Sequence, residues 1–328
     1  MNSSAISSIE KYFLDFIIID LLNPNNKHLI KRKTASELCI LSIIHQLLIK
    51  NMKSTKRNIF YMNIELFVNQ KYLDFIIECI SKKIGLSRIE MNIEASSKSL
   101  IYGDVMLNHR VNEPIHCLSS HNGINLSSGF TFSQKGLKLI KFILVVEKDA
   151  TFQNLIDRNF CSLFNPSILI TAKGFPDLNC RFLLNSRDST IINIPVFCLV
   201  DADPFGLSIY CSFKYGSKKF SLLDANQDII RSHNMKLIGL LATDIEKLQF
   251  QKNEILTLSP ADKRILVGIQ NEKFYMTDSD VKLQVECFSR LQAKAEIQSL
   301  DNLGTDYLIK EYLYKKLICY GISPSIFF

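Results

Sequence analysis

Several signatures that would assign a function at once are missing from this chain. It has no G-x-x-x-x-G-K-[ST] loop and no G-x-G-x-x-G turn, which argues against nucleotide hydrolysis and dinucleotide binding. Its nine cysteines are an odd number, lie inside apolar runs and never form C-x-x-C. They read as buried thiols of a reducing compartment, not as a zinc site or a disulfide frame. No H-x-x-x-H pair occurs among the six histidines, and His116 and His121 around Cys117 read as a polar loop. The longest apolar run near the start, Tyr12 to Leu22, is about half what a membrane span needs and is interrupted by Asp15 and Asp20. The opening Met-Asn-Ser-Ser has neither the basic start nor the cleavage site of a secretory signal. Neither a membrane nor a secretory route is expected.

What is present is a chain of 328 residues, 47% hydrophobic and 22% charged, long enough for a substantial core and for two domains. A formal net charge of +7 permits a polyanionic partner without demanding one.

Ile6, Ile9, Phe13, Phe16 and Ile17 share one helical face, so residues 5 to 22 read as an amphipathic helix. Packing on the body of the protein and docking of a partner are both open to it. Asn23-Pro-Asn-Asn26 is a turn, and Thr34 with Glu37 three residues later reads as the capping box of a second helix. A further helical pattern runs from Ile64 to Ile84 and is closed by Gly85. Between these helices lies T-K-R-N-I-F-Y-M-N, residues 55 to 63, where Tyr61 is either one more aromatic or a nucleophile held by Arg57. Then Glu90 to Ala95 alternates at period two and Ser99 to Gly103 forms a second short strand, so the intervening S-S-K reads as a hairpin tip. Helix, basic turn, helix and hairpin is the order of a winged helix, with Lys98 at the wing tip placed for phosphate. Residues 104 to about 135 are rich in Asn, Ser and Gly and read as the domain boundary. The expected organisation is an N-terminal helix over 1–26, a winged-helix domain over 27–130 and an α/β domain over 131–328.

In the second half, Lys141 to Val146, Ser167 to Thr171 and Pro195 to Val200 are apolar runs separated by helical patterns, which implies a parallel sheet with right-handed crossovers. The first run ends in Glu147 and the third in Asp201 and Asp203. Ligands bind at the C-terminal ends of such strands. Two aspartates two residues apart project to one side of an extended segment, and a neighbouring strand brings Glu147 to face them. Three carboxylates with no basic residue between them call for a cation, and an oxygen-only donor set favours Mg²⁺. Taken alone, the D-x-D is also what a helix cap followed by an Asp-Pro turn would look like.

A strand-end Glu followed by a strand-end D-x-D is similar to the Toprim domain of topoisomerases and primases. More narrowly, V-V-E-K, T-A-K-G-F-P-D and D-A-D-P-F-G, preceded by R-N-I-F-Y and N-I-E-A-S-S-K-S-L, resemble the A subunit of topoisomerase VI and most nearly the eukaryotic branch that makes meiotic double-strand breaks. Leu237-Ile-Gly-Leu240 with Asp244, and Lys294-Ala-Glu-Ile297, look like further family blocks. The resemblance implies a catabolite-activator-like winged helix followed by a Toprim domain with a C-terminal helical extension. It implies that Tyr61 is the nucleophile and Arg57 its arginine, with Asn58 standing where the family usually has Asp. It makes Glu147, Asp201 and Asp203 ligands of Mg²⁺, with Mn²⁺ as a substitute. By their places at the wing and in or just after the second strand-end loop, Lys98, Lys173, Phe175 and Arg181 are expected on DNA, with packing under the loop equally open to Phe175. The implied partners are double-stranded DNA, a second copy of the chain on that DNA, and a topoisomerase VI B-like accessory protein docking through the N-terminal helix; the implied location is the nucleus. Two other readings stay open at this level: a topoisomerase A subunit working with a separate ATPase, and a DNA-binding scaffold without activity.

Overall fold

The computed structural model describes residues 2–16, 32–94, 97–109, 113–185, 193–216, 231–232, 234–248, 250–304 and 306–325. Residues 17–22 of the expected first helix, the 23–26 turn and residues 27–31 of the basic stretch lie outside them. The chain forms two compact units, one over residues 1–96 with 218–225 and the other over 97–217 with 226–328.

The first unit is helical. Helices α1 (Asn2–Phe16), α2 (Arg32–Ile49), α3 (Lys56–Met62), α4 (Ile64–Phe67) and α5 (Gln70–Ile84) enclose Ile40, Ile44, Ile59, Phe67, Leu73 and Ile77. Helix α1 packs on this core through Ala5 and Ile9. Helix α2 begins at Arg32, so Thr34 is inside it and is not its N-cap. Glu37 points inward instead, to Lys83 Nζ at 2.9 Å. The expected helix from Ile64 is two helices, because Asn69 restarts it by accepting the Tyr72 amide at 2.9 Å. Gly85 closes α5 in the left-handed conformation, φ 75°, as its lack of a Cβ allows.

Strand β1 (Ser54–Thr55) pairs in parallel with β2 (Ile93–Glu94). The expected 90–103 hairpin is therefore not formed. The next strand, β3 (Leu100–Gly103), belongs to the second unit, where it pairs antiparallel with another strand at Leu100↔Thr171. The reason is sequence-distant: an apolar edge offered by residues 167–171 outcompetes a local hairpin whose two strands differ in partner and direction. The division consequently falls at 96/97 and not near 130.

The glycines and asparagines of 104–135 mark turns between real strands. Strands β4 (Met106–His109), β5 (Ile115–His116), β6 (Ile124–Asn125) and β7 (Phe130–Phe132) follow, and β5-β4-β7 make a small antiparallel sheet. The main sheet contains β8 (Phe142–Val146), β9 (Ser167–Thr171), β10 (Val196–Leu199) and β11 (Met235–Gly239) in the order β11-β10-β8-β9-β3-β6. Its first four strands are parallel, as their unbroken apolar character requires when helices cover both faces; β3 and β6 extend them antiparallel. The sheet is thus mixed, not wholly parallel. The crossover elements used below are α6 (Asp149–Asp157), α7 (Leu178–Leu184) and α8 (Pro204–Tyr215), followed by α9 (Ala242–Lys247), α10 (Pro260–Gln270), α11 (Ser279–Leu291) and α12 (Tyr314–Cys319). Chain order takes β9 to one side of β8 and β10 to the other, so the sheet's switch point lies between β8 and β10.

Candidate active site

In the helical unit, Thr55 caps α3 by accepting the Asn58 amide at 3.1 Å. Ile59 fixes one face of that short helix in the core at 0% exposure, which turns Arg57, Asn58 and Tyr61 outward. Arg57 and Tyr61 are i and i+4, and the guanidinium carbon lies 5.9 Å from the ring centroid. Tyr61 is 56% exposed, unusually open for a large aromatic. Asn58, on the outward face between them, carries an amide side chain and leaves Arg57 and Tyr61 in register.

In the sheet unit, the strand-end acids meet at the switch point. The Glu147 amide donates to Leu199 O at 2.9 Å, and the Asp201 amide donates to Glu147 Oε2 at 2.9 Å. Asp203 caps α8, its Oδ1 accepting the Gly206 amide at 2.6 Å, with Pro204 at the first helical position. Gly206 has no room for a side chain, since a Cβ there would fall 2.5 Å from the Asp201 carbonyl. The residue expected as a metal ligand is thus also the cap of the following helix. Burial, followed by the charge of Asp201, pushes the Glu147 carboxyl up to about 7. Burial also pushes Asp203 up to about 6, against the pull of the Gly206 amide and with a further push from Asp201.

Asp201 differs from both. It is 5% exposed, its Oδ1 accepts the Ile297 amide at 2.9 Å, and its Oδ2 lies 2.7 Å from Lys148 Nζ. The expectation of three carboxylates with no basic neighbour is corrected on this point: the lysine directly after Glu147 reaches back across the strand ends. Among the described residues, no three His, Cys, Asp or Glu side chains form a ready metal cage. Glu147 and Asp203, two desolvated carboxyls whose charged forms are disfavoured by burial and by the neighbouring acid, nevertheless fit a hard divalent ion that takes one or two carboxylates and completes its shell with water. A cavity beside Asp203, lined by Val200, Asp201, Asp203 and Leu207 among others, holds about 10 Å³, far below the ~300–1,000 Å³ of small-molecule pockets.

The T-A-K-G-F-P-D loop reaches the same strand ends, because the Gly174 amide donates to Glu147 O at 2.9 Å. Phe175 is 45% exposed there, and Lys173 pairs with Asp149 at 2.9 Å. Asp177 caps α7 and also accepts from the Ser99 hydroxyl at 2.7 Å, which stitches residues 98–99 to this loop. Lys98 is therefore not at a wing tip; its ammonium donates to Lys173 O at 3.1 Å, and burial lowers its pKa. Arg181 is corrected as well. It is 2% exposed on the inward face of α7, where no phosphate reaches it. A basic residue just after a loop reads as surface in a sequence, and only helix phase turns it inward.

Lys148, Asp177 and Glu296 are site residues that the sequence reading missed. For Lys148 the available signal is its adjacency to Glu147; for Glu296, its place in the 294–297 block. That block docks on the D-x-D loop through Ala295 N to Ala202 O at 3.0 Å, while Lys294 pairs with buried Asp262 at 2.8 Å.

Two family models match: the Toprim domain of Spo11 and the topoisomerase 6 A-subunit, over residues 142–317, and the type IIB DNA topoisomerase family, over 32–93. The chain is 37% identical over 286 residues to the meiotic recombination protein SPO11 of Mus musculus, covering 87% of this chain and 71% of that one. It is 31% identical over 267 residues to the meiotic recombination protein rec12 of Schizosaccharomyces pombe, covering 80% and 71%. It is 30% identical over 291 residues to the A-subunit of DNA topoisomerase 6 from Arabidopsis thaliana, covering 87% and 66%. The Arg57–Tyr61 helix lies inside the second match and Glu147, Asp201 and Asp203 inside the first, and the chain belongs to the family that unites Spo11 with the A-subunit of topoisomerase VI.

Proposed function

We propose that this protein cleaves duplex DNA by transesterification and makes the double-strand breaks that initiate meiotic recombination, in the nucleus. The observation that carries the reading is the outward-facing Arg57–Tyr61 pair on a helix whose other face is anchored in the core. A phenol with a reference pKa near 10 is about a thousandfold short of ionised at neutral pH. An adjacent guanidinium favours the phenolate and neutralises the attacked phosphodiester. Tyr61 Oη bonds to phosphorus, the 3′-oxygen leaves and takes up a proton, and the phenolic proton passes to solvent. One ester bond replaces another, so cleavage needs no ATP, and the product is a 5′-phosphotyrosyl link beside a free 3′-hydroxyl.

Glu147 and Asp203 would hold Mg²⁺ or Mn²⁺, which supplies charge stabilisation at the scissile phosphate when bound. Asp201 orients the same loop through the Ile297 amide. Lys173 and Phe175, on the loop beside Glu147, are offered to the DNA backbone and to a base step. The helical unit is proposed as the DNA-docking module of winged-helix type, without the wing expected from sequence. Because one Tyr61 cuts one strand, a double-strand break takes two chains related by the two-fold symmetry of duplex backbones. A topoisomerase VI B-like accessory protein is the proposed further partner, with α1 as a contact. The greater likeness to meiotic proteins than to the plant topoisomerase favours this function over strand passage.

The test is to incubate the chain with end-labelled duplex and Mg²⁺, denature, and map the labelled residue. Label on Tyr61 through a 5′-phosphate supports the reading; phosphotyrosine at Tyr72 or Tyr102, or a 3′-link, overturns it. Dependence of cleavage on ATP and a separate ATPase would transfer the assignment to topoisomerase activity.

A further inference from the structure

Lys148 is held by three oxygens from two parts of the fold. Its ammonium lies 2.7 Å from Asp201 Oδ2, 3.0 Å from Glu296 Oε2 and 3.1 Å from Gln298 Oε1. The carboxylates differ in setting: the Asp201 side chain is 5% exposed and the Glu296 side chain 57%. Asp201 keeps a separate anchor through the Ile297 amide, and Ala295 keeps the Glu296 segment on the D-x-D loop independently of the lysine. Either partner can therefore lose the ammonium and stay in place.

We propose that Lys148 is a tethered counter-ion of the acidic site, which occupies Asp201 until a divalent cation arrives and then withdraws to Glu296 and Gln298. The inference rests on the metal reading of the site given above. A buried carboxylate beside two others is costly to leave uncompensated, and the flexible ammonium stem satisfies it in the metal-free chain. A divalent ion among the same oxygens repels the ammonium, and Glu296, at the solvent edge, already shares it. Asp201 then has Oδ2 released toward the site while Oδ1 holds the backbone. The device makes the site selective for a cation strong enough to displace a lysine, so that monovalent ions leave it closed.

The test uses the full chain, with binding of Mn²⁺ followed by loss of the free-ion EPR signal and lysine accessibility followed by acetylation footprinting. Lys214, paired with Asp278 at 2.8 Å, is the internal reference. At saturating Mn²⁺, Lys148 acetylation rises about threefold, the size expected for release of a partly exposed ion pair, with Lys214 unchanged. Absence of Mn²⁺ binding overturns the metal reading and this inference with it. Mn²⁺ binding without a change at Lys148 overturns this inference alone. Lys148→Met is expected to bind Mn²⁺ about tenfold more tightly through loss of the competing charge, and equal or weaker affinity in a variant that melts normally contradicts the proposal. Glu296→Gln, which removes the receiving carboxylate and spares Asp201, is expected to weaken Mn²⁺ binding about threefold; unchanged affinity there also counts against it.

Discussion

In the helical unit the proposed chemistry stands on a seven-residue helix held by one capping threonine and one buried isoleucine, with Tyr61 56% exposed. In the sheet unit the acids sit at the ends of strands whose every residue is buried, and burial raises Glu147 and Asp203. The proposed nucleophile, Tyr61, is specified locally, by the few residues between Thr55 and Tyr61, and is open to a large ligand. The acids are specified by sheet order, and their neighbours come from residues up to 96 positions away, as in Ile297 to Asp201. A group that must touch DNA tolerates exposure. A group meant to hold a cation gains from desolvation, because its charge is then unsatisfied until the cation is bound.

The comparison can be broken most severely at the two chemical groups. Tyr61→Phe is expected to remove all covalent adduct while duplex affinity stays within about twofold, since a hydroxyl offered to one phosphate adds little to a many-phosphate interface. Glu147→Gln is expected to reduce Mg²⁺-dependent cleavage by about 10²-fold or more, without changing metal-independent duplex binding. Normal cleavage by the glutamine variant in EDTA would remove the metal from the mechanism.

Mixing the two defective chains asks whether the units of one chain or of two chains cooperate. If Tyr61 of one protomer works with Glu147 and Asp203 of its partner, mixed dimers carry one intact centre and nick a single strand. If each chain works within itself, gel analysis shows no nicks.

Stability should separate the units next. At Gly239 a Cβ would collide with the hydroxyl and ring of buried Tyr312, which donates to Asp244 at 2.5 Å while Lys316 pairs with the same carboxylate at 3.0 Å. Gly239→Ala is expected to cost the sheet unit about 3 kcal/mol, seen as a lower calorimetric melting temperature, with the far-UV signature of the helical unit persisting. One cooperative loss of both would show that the units do not unfold separately.

The smallest effect is expected at Thr55→Ala, which deletes the α3 cap at a cost of about 1 kcal/mol. Hydrogen exchange at Asn58 to Tyr61 should accelerate, while amides of β8 and β10 stay protected. Equal acceleration in those strands would contradict the local character of the tyrosine site.

By itself the sequence determined the features that depend on near neighbours. Apolar runs of five residues read directly as buried strands, and Glu147, Asp201 and Asp203 follow such runs. The Arg57–Tyr61 spacing places both on one face once the segment is helical. Gly85 ends its helix for want of a Cβ. The order of motifs also carried the family likeness. Tertiary structure alone decided where competing non-local partners were available. Strand 100–103 joined β9 instead of residues 90–95, because strand pairing is chosen by the best edge on offer and not by proximity in the chain. That choice took Lys98 from a wing tip to the loop beside Glu147. Helix phase against the sheet put Arg181 inside, and the docking of residues 293–298 on the D-x-D loop gave Lys148 its second carboxylate. Each of these depends on what a distant segment presents at a surface, which no window of sequence contains.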